Sequence, residues 1–415
     1  MKKIYKILAI LLTVSLLLSL TFIVSGCEKG KTKAILLIHG ICGGAFYDAE
    51  TGDVVWAIDE ISPEDITEMF NDPGFIDKLK LDENGEPLHN LRLADMDDDK
   101  GKYTMLTMFK PLYEELYENY SDEYDVIVWQ YDWRLDNYQS AAKLEEFVES
   151  SGYEELILVT HSMGGNVVSQ FMANSQDNMN KVKLFIPMST PFFGSLDACY
   201  FMLDGLICNI EGQLNSIPTP EGRRDFKEDY KGLSSMVGII KPMLLDLGKN
   251  LPSMYMLTPF EKYADDPVYA EGETPIKLGN DYLTHSGSHE YFSETAIAKK
   301  SNGELKPGFE KYNEYQVGHI VDGKHISEKV NTHYIVGSGI DTLYSITINP
   351  NNGKISSYLQ YDQGDGIVSV YSGCAGNLIT DDNVYVMEGS SHISITTDEQ
   401  TVTTVNDIIA DFLKK

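Results

Sequence analysis

Positive charge is scarce in this chain. Lysine and arginine number 33 against 63 aspartates and glutamates, a formal net charge of −30 over 415 residues. A surface this negative repels a phosphate backbone, which excludes nucleic acid as a partner. It suits a protein exposed to solvent outside the cell, and equally a salt-adapted or simply very soluble one. Cysteine is also sparse. Beyond Cys27 there are Cys42, Cys199, Cys208 and Cys374, at spacings that match no zinc pattern. Cys199 and Cys208 are equally consistent with a short disulfide loop and with two free thiols. No internal repeat is present. What remains is an ordinary globular composition, 42% hydrophobic and 11% aromatic, long enough for one large α/β domain with an insertion or for two domains.

The first residues read as a targeting segment. Lys2, Lys3 and Lys6 form a basic start, and Ile7 to Val24 form an apolar run without charge. Val24-Ser25-Gly26-Cys27 follows, small residues before a cysteine, as at the processing site of bacterial lipoproteins. The expectation is a signal peptide over 1–26, a lipid on Cys27 as the new first residue, and a short leash over 27–33. An uncleaved membrane anchor is the alternative. Either way the rest of the chain sits outside a cell membrane and is tethered to it.

Strand and helix then alternate. Continuous apolar strands are expected over Ala34–His39, Tyr124–Gln130, Glu155–Thr160 and Lys183–Pro187. Helices carrying Ala141, Leu144 and Val148, then Val167, Val168 and Phe171, separate the later ones. Such a series implies a mostly parallel sheet covered by helices on both faces. The rhythm breaks from about Leu196 to Lys329, which predicts an inserted cap. Met236, Ile239, Ile240, Met243, Leu244 and Leu247 recur there at helical spacing, a face suited equally to a lipid surface or to the protein core. The rhythm returns with a strand at His333–Val336, a hairpin around Asn349–Gly353, a strand at Val384–Met387 and a final helix from about Val402. The expected units are a core first half over 34–195, a cap over 196–329 and a core second half over 330–415.

The chemistry centres on Thr160-His161-Ser162-Met163-Gly164-Gly165, placed directly after an apolar strand. Small-x-Ser-x-Gly between a strand and a helix is a nucleophile elbow, a turn so tight that the second residue to either side of the serine must be small. Thr160 stands where glycine is usual. A serine hydroxyl needs a histidine base, itself oriented by a carboxylate, in the chain order Ser, Asp or Glu, His. His392 is the one histidine after the last strand. Asp365, between Gly364 and Gly366, is a candidate acid, with Asp341 and Asp362 as competitors. The loop His39-Gly40-Ile41-Cys42-Gly43-Gly44 follows the first strand. There Ile41 N–H is the expected partner of Met163 N–H in an oxyanion hole. His161 reads as a packing or orienting residue, and Trp133 and Arg134 as structural.

These segments together resemble the lecithin:cholesterol acyltransferase family, with its bacterial and lysosomal phospholipase relatives. The resemblance rests on His39–Gly43, Tyr131-Asp132-Trp133-Arg134, the elbow, Ser189-Thr190-Pro191-Phe192-Phe193-Gly194-Ser195, Leu251-Pro252-Ser253-Met254-Tyr255, Gly364-Asp365-Gly366 and His392. Ile367 stands where the family usually has threonine, and the cap matches poorly outside Leu251–Ser253. The resemblance implies an α/β-hydrolase fold with Ser162 as nucleophile, Asp365 as acid and His392 as base. It also implies a membrane-facing cap and acyl transfer from glycerophospholipids or related esters. The expected activity is therefore a serine-dependent lipid ester hydrolase or O-acyltransferase, needing no metal or organic cofactor and no obligate protein partner. Its rivals are an esterase acting on cell-wall or small soluble esters, and a surface-binding lipoprotein on an inactive hydrolase scaffold.

Overall fold

The computed structural model describes residues 31–56, 74–94, 99–210, 213, 218–219, 222–223, 233–271 and 273–415. The signal segment and Cys27 lie outside the described residues. The strands that build the site are β1 (Lys33–Ile38), β2 (Asp125–Trp129), β3 (Glu155–His161), β4 (Val182–Met188), β5 (Ile276–Leu278), β6 (Asp281–Tyr282), β7 (Tyr334–Ser338), β8 (Thr342–Ile348), β9 (Ile355–Tyr361) and β10 (Val384–Glu388). The principal helices are α1 (Asp99–Tyr120), α2 (Asn137–Ser151), α3 (Met163–Asn174), α4 (Leu196–Asp204), α5 (Leu233–Gly248), α6 (His285–Ser293) and α7 (Glu399–Leu413).

Six strands form one parallel sheet in the order β10-β7-β4-β3-β1-β2. The inner strands β1, β3 and β4 are apolar on both sides over most of their length because both faces are covered. Along β1, Ala34, Leu36 and Ile38 enter one core with Ala141, Leu144 and Val148 of α2 and Val167, Val168 and Phe171 of α3. Ile35 and Leu37 enter the opposite core with Phe109, Leu112 and Leu116 of α1 and Val405, Ile408 and Ile409 of α7. Alternation of period two sends successive residues to opposite faces, so a strand buried on both sides reads as an unbroken apolar run. Each such side chain contributes about 1.5–3 kcal/mol by leaving water. The expected α/β-hydrolase architecture is the one found.

The hairpin near Asn349 lies elsewhere than the sequence rhythm suggested. Its strands β8 and β9 pair with each other and, through β8, with β5 in a separate sheet ordered β6-β5-β8-β9. The β-branched and apolar run of β8, with Leu343, Ile346 and Ile348 buried, specifies a strand but not which sheet receives it. Residues from the expected cap and from the expected second half of the core thus share one sheet.

The second half of α5 leans on the protein. Leu247 is buried, and Met243 and Leu244 pack on the same core. Lys241 pairs with Asp204 of α4, and Asp246 with Lys80. At these three apolar positions the helix face serves the core; the side chains of Met236, Ile239 and Ile240 lie outside the described residues. Cys199 and Cys208 are free thiols. Among the described residues no helix is long and apolar enough to cross a membrane.

Tyr131-Asp132-Trp133-Arg134 forms a buried brace at the end of β2. The Arg134 guanidinium, 1% exposed, donates from Nε and Nη2 to the two carboxylate oxygens of Asp132, at 2.9 and 2.7 Å. It also donates from Nη1 to the carbonyl of Leu79 and stacks over Phe46. A buried cation left without its anion is costly, whereas removing both charges together is mild. Asp132→Ala is expected to lower stability by about 3 kcal/mol, and Asp132→Ala with Arg134→Met to recover part of the loss. Equilibrium urea unfolding reads both.

Candidate active site

Ser162 sits between β3 and α3 with φ 53° and ψ −130°, a conformation that side-chain-bearing residues rarely adopt. Such strain costs on the order of 1–3 kcal/mol and persists only where packing enforces it. The enforcement is visible. A Cβ on Gly164 would stand 2.5 Å from the carbonyl oxygen of Ile38 and 2.6 Å from that of His39. The helix therefore starts hard against the end of β1. Thr160 is accepted at the other small position, fully buried in register between Ile38 of β1 and Pro187 of β4. The Ser162 N–H donates to the carbonyl of Met188, fixing the turn to the neighbouring strand end.

The three residues expected to act together do meet. His392 Nε2 lies 2.9 Å from Ser162 Oγ, and His392 Nδ1 lies 2.7 Å from Asp365 Oδ2. All three are buried, Ser162 at 5% exposure, His392 at 6% and Asp365 at 1%. The other oxygen of Asp365 accepts the N–H groups of Ile367 and Val368. Burial raises this carboxyl, but the charge and hydrogen bond of His392 and the Val368 N–H outweigh it and hold the group below the usual carboxylate range. An ionised carboxylate only accepts. Nδ1 of His392 therefore carries a proton toward the carboxylate, and in the neutral ring this leaves Nε2 as the acceptor facing the serine hydroxyl. Asp341 and Asp362 are both exposed to solvent and lie outside this arrangement.

Two further histidines organise the backbone. His161 is buried, with its Nε2 2.7 Å from the carbonyl of His392 and its ring beside that of His392. A carbonyl accepts only, so Nε2 of His161 donates. Burial lowers its pKa to about 3, leaving a neutral ring that pins the loop carrying His392. His39 is held at about 4 for the same reason. Its Nδ1 donates to the carbonyl of Gly40, and its ring stacks on Tyr131 at 4.4 Å. The loop of Gly40 and Ile41 wraps this ring and passes directly beside the serine. A Cβ on Gly40 would stand 2.6 Å from Ser162 Cβ. Met163, the proposed elbow donor, is the first residue of α3, where backbone N–H groups have no partner inside the helix.

Asp197, which no motif singled out, is a second buried carboxyl in the first turn of α4. Oδ1 accepts the N–H of Cys208 at 2.7 Å, while Oδ2 meets no donor among the described residues. Burial pushes its pKa up to about 7, against the Cys208 hydrogen bond and with help from the charge of Asp365. The native state thus holds this proton more tightly than the unfolded chain does. Stability falls as pH rises from about 4 to about 7, by up to a few kcal/mol. Asp197→Asn is expected to flatten that decline. Urea midpoints of wild type and variant at pH 5 and pH 8 measure it, the wild type losing more between the two. Among the described residues no group of three or more His, Cys, Asp or Glu could hold a metal ion.

In fold, the chain is similar to a protein in the crystal structure of the Tle4–Tli4 complex. Identity is 14%, coverage is 92% of this chain and 99% of that one, and the TM-score is 0.58. Weaker likenesses are to the lipase BlEst2 of Bacillus licheniformis, at 14% identity, 93% and 94% coverage and TM-score 0.30, and to a putative lipase of Acinetobacter baumannii, at 12% identity, 94% and 86% coverage and TM-score 0.34. A comparison with curated proteins finds no match in sequence. Residues 95–234, the stretch that holds Tyr131–Arg134, the elbow and Ser189–Ser195, match the lecithin:cholesterol acyltransferase family, the one the sequence resembled.

Proposed function

We propose that this protein is a serine hydrolase or O-acyltransferase acting on lipid esters. The observation that carries the reading is the unbroken line from Asp365 through His392 to Ser162 on a strained strand-to-helix turn. His392 Nε2 takes the hydroxyl proton as Ser162 Oγ attacks the ester carbonyl. The oxyanion is met by the backbone N–H groups of Met163 and Ile41. His392 then returns the proton to the leaving alcohol, and the acyl-enzyme passes its acyl group to water or to an acceptor alcohol. Asp365 keeps the proton on Nδ1 and stabilises the imidazolium as it forms. The family match over 95–234 supports lipid esters as the substrate class.

A fluorophosphonate probe is expected to label Ser162 and to leave Ser162→Ala unlabelled. Absence of labelling in the wild type would favour a binding protein on an inactive scaffold. Asp365→Asn is expected to lower kcat about a thousandfold or more, with Asp341→Asn and Asp362→Asn close to wild type. Turnover of phospholipid vesicles should exceed that of a soluble short-chain ester; the reverse preference would point to soluble esters.

Membrane attachment through Cys27 belongs to the same proposal and rests on the Val24–Cys27 segment alone. Cys27→Ala is expected to move the protein out of the membrane fraction, and retention of the variant there with unchanged processing would overturn the lipid anchor.

A further inference from the structure

The loops that carry the acid and the base are 27 residues apart in sequence, and a side chain from a third segment ties them together. Gln213 is fully buried. Its Nε2 donates to the carbonyl of Asp365 at 2.8 Å, and its Oε1 accepts from the N–H of Ile393, the residue after the base, at 3.3 Å. Only one orientation of the amide fits, because a carbonyl can only accept and an N–H can only donate. The Asp365 carbonyl also accepts the N–H of His392 at 2.9 Å. The backbones of acid and base are thus bonded to each other and to one amide that spans both.

The surroundings are shaped for that amide. Gly366 has φ 91°, and a Cβ there would lie 2.3 Å from Gln213 Nε2 and 3.3 Å from Asn209 Nδ2. The second glycine of Gly-Asp-Gly therefore serves the sharp turn and also the seat of Gln213. Gln213 is held from its own side as well. Its N–H donates to the carbonyl of Asn209, and the nearby Cys208 N–H is held by Asp197 of α4. A chain of bonds runs from α4 to the acid's backbone.

We propose that Gln213, supplied by the segment inserted between the two halves of the core sheet, is a positioning residue that locks the Asp365 and His392 loops in register. It acts through the acid and the base, whose loops its amide bonds. The consequence follows from the amide's two bonds. A substitute that fills the space without both a donor and an acceptor leaves a buried carbonyl or N–H unsatisfied, and the loops shift relative to each other. Displacement of a catalytic group by about 1 Å can cost a hundredfold in rate. Because the error lies in the acid–base pair and not in substrate contact, the loss falls on kcat. The inference rests on the serine-hydrolase reading for its kinetic arm only.

The test uses the full-length protein with Gln213→Met, which keeps length and removes both bonds, and Gln213→Glu, which keeps the acceptor, loses the donor and adds a charge. Far-UV circular dichroism and thermal melts establish folding. The low-field proton resonance of His392 Nδ1 in the free protein reports the Asp365 hydrogen bond without any turnover. Both variants are expected to broaden or shift that resonance, to slow fluorophosphonate labelling of Ser162, and to lower kcat by about ten- to a hundredfold with KM within about twofold of wild type. An unchanged resonance in a folded variant overturns the proposal, as does a loss confined to KM. If wild type is not labelled but its resonance responds to Gln213→Met, the positioning role stands and the hydrolase reading fails.

Discussion

A serine at positive φ between a buried strand and a helix is a conformation the chain abandons unless it is surrounded. Here the surroundings come from three strand ends. The carbonyls of Ile38 and His39 lie where a side chain on Gly164 would have to go. Met188 accepts the Ser162 N–H. Gly40 presses against the serine from the loop after β1. Each contact requires β1, β3 and β4 to be parallel neighbours ending at one level, which is what a doubly covered parallel sheet provides. The strain at Ser162 is stored by the packing of the whole sheet.

The site is polar inside an apolar interior, and its polar groups are arranged so that few charges remain. His39 and His161 are held neutral by burial and spend their N–H groups on backbone carbonyls. Asp365 keeps its charge because His392 and two backbone N–H groups compensate for lost water. Asp197 has one such partner and lies under the negative charge of Asp365, so its proton is held far more tightly. Two aspartates in one neighbourhood are thereby driven apart in acidity by the number of donors each receives.

Much of this was legible in the chain. Apolar strands of period two that become continuous when both faces are covered announced the parallel sheet. Thr160 to Gly165 announced the turn, because local sterics alone demand small residues there. His392 followed from chain order. Choosing Asp365 over Asp341 and Asp362 needed the resemblance, since all three lie near strand or turn positions and are told apart by burial and contact with His392, which appear only in the fold. Trp133 and Arg134 were readable as structural, and the carboxylate that Arg134 bonds, Asp132, lies two residues away.

Other features had no local signal. The hairpin of β8 and β9 carries no sequence mark of its sheet, yet it joins β5 from the inserted region. Gln213 bonds to residues 152 and 180 positions away, from a stretch without a motif. Asp197 lies in the first turn of α4 with no motif around it, and its raised pKa comes from burial. The sequence by itself determined the elements, the elbow and the chain order of serine, acid and base, because backbone sterics and hydrophobic periodicity act over a few residues. Tertiary structure alone decided which buried carboxyl is held ionised, which holds its proton more tightly and which amide ties the loops. Those outcomes depend on distance, burial and donor count, quantities that exist only after remote segments have been packed together.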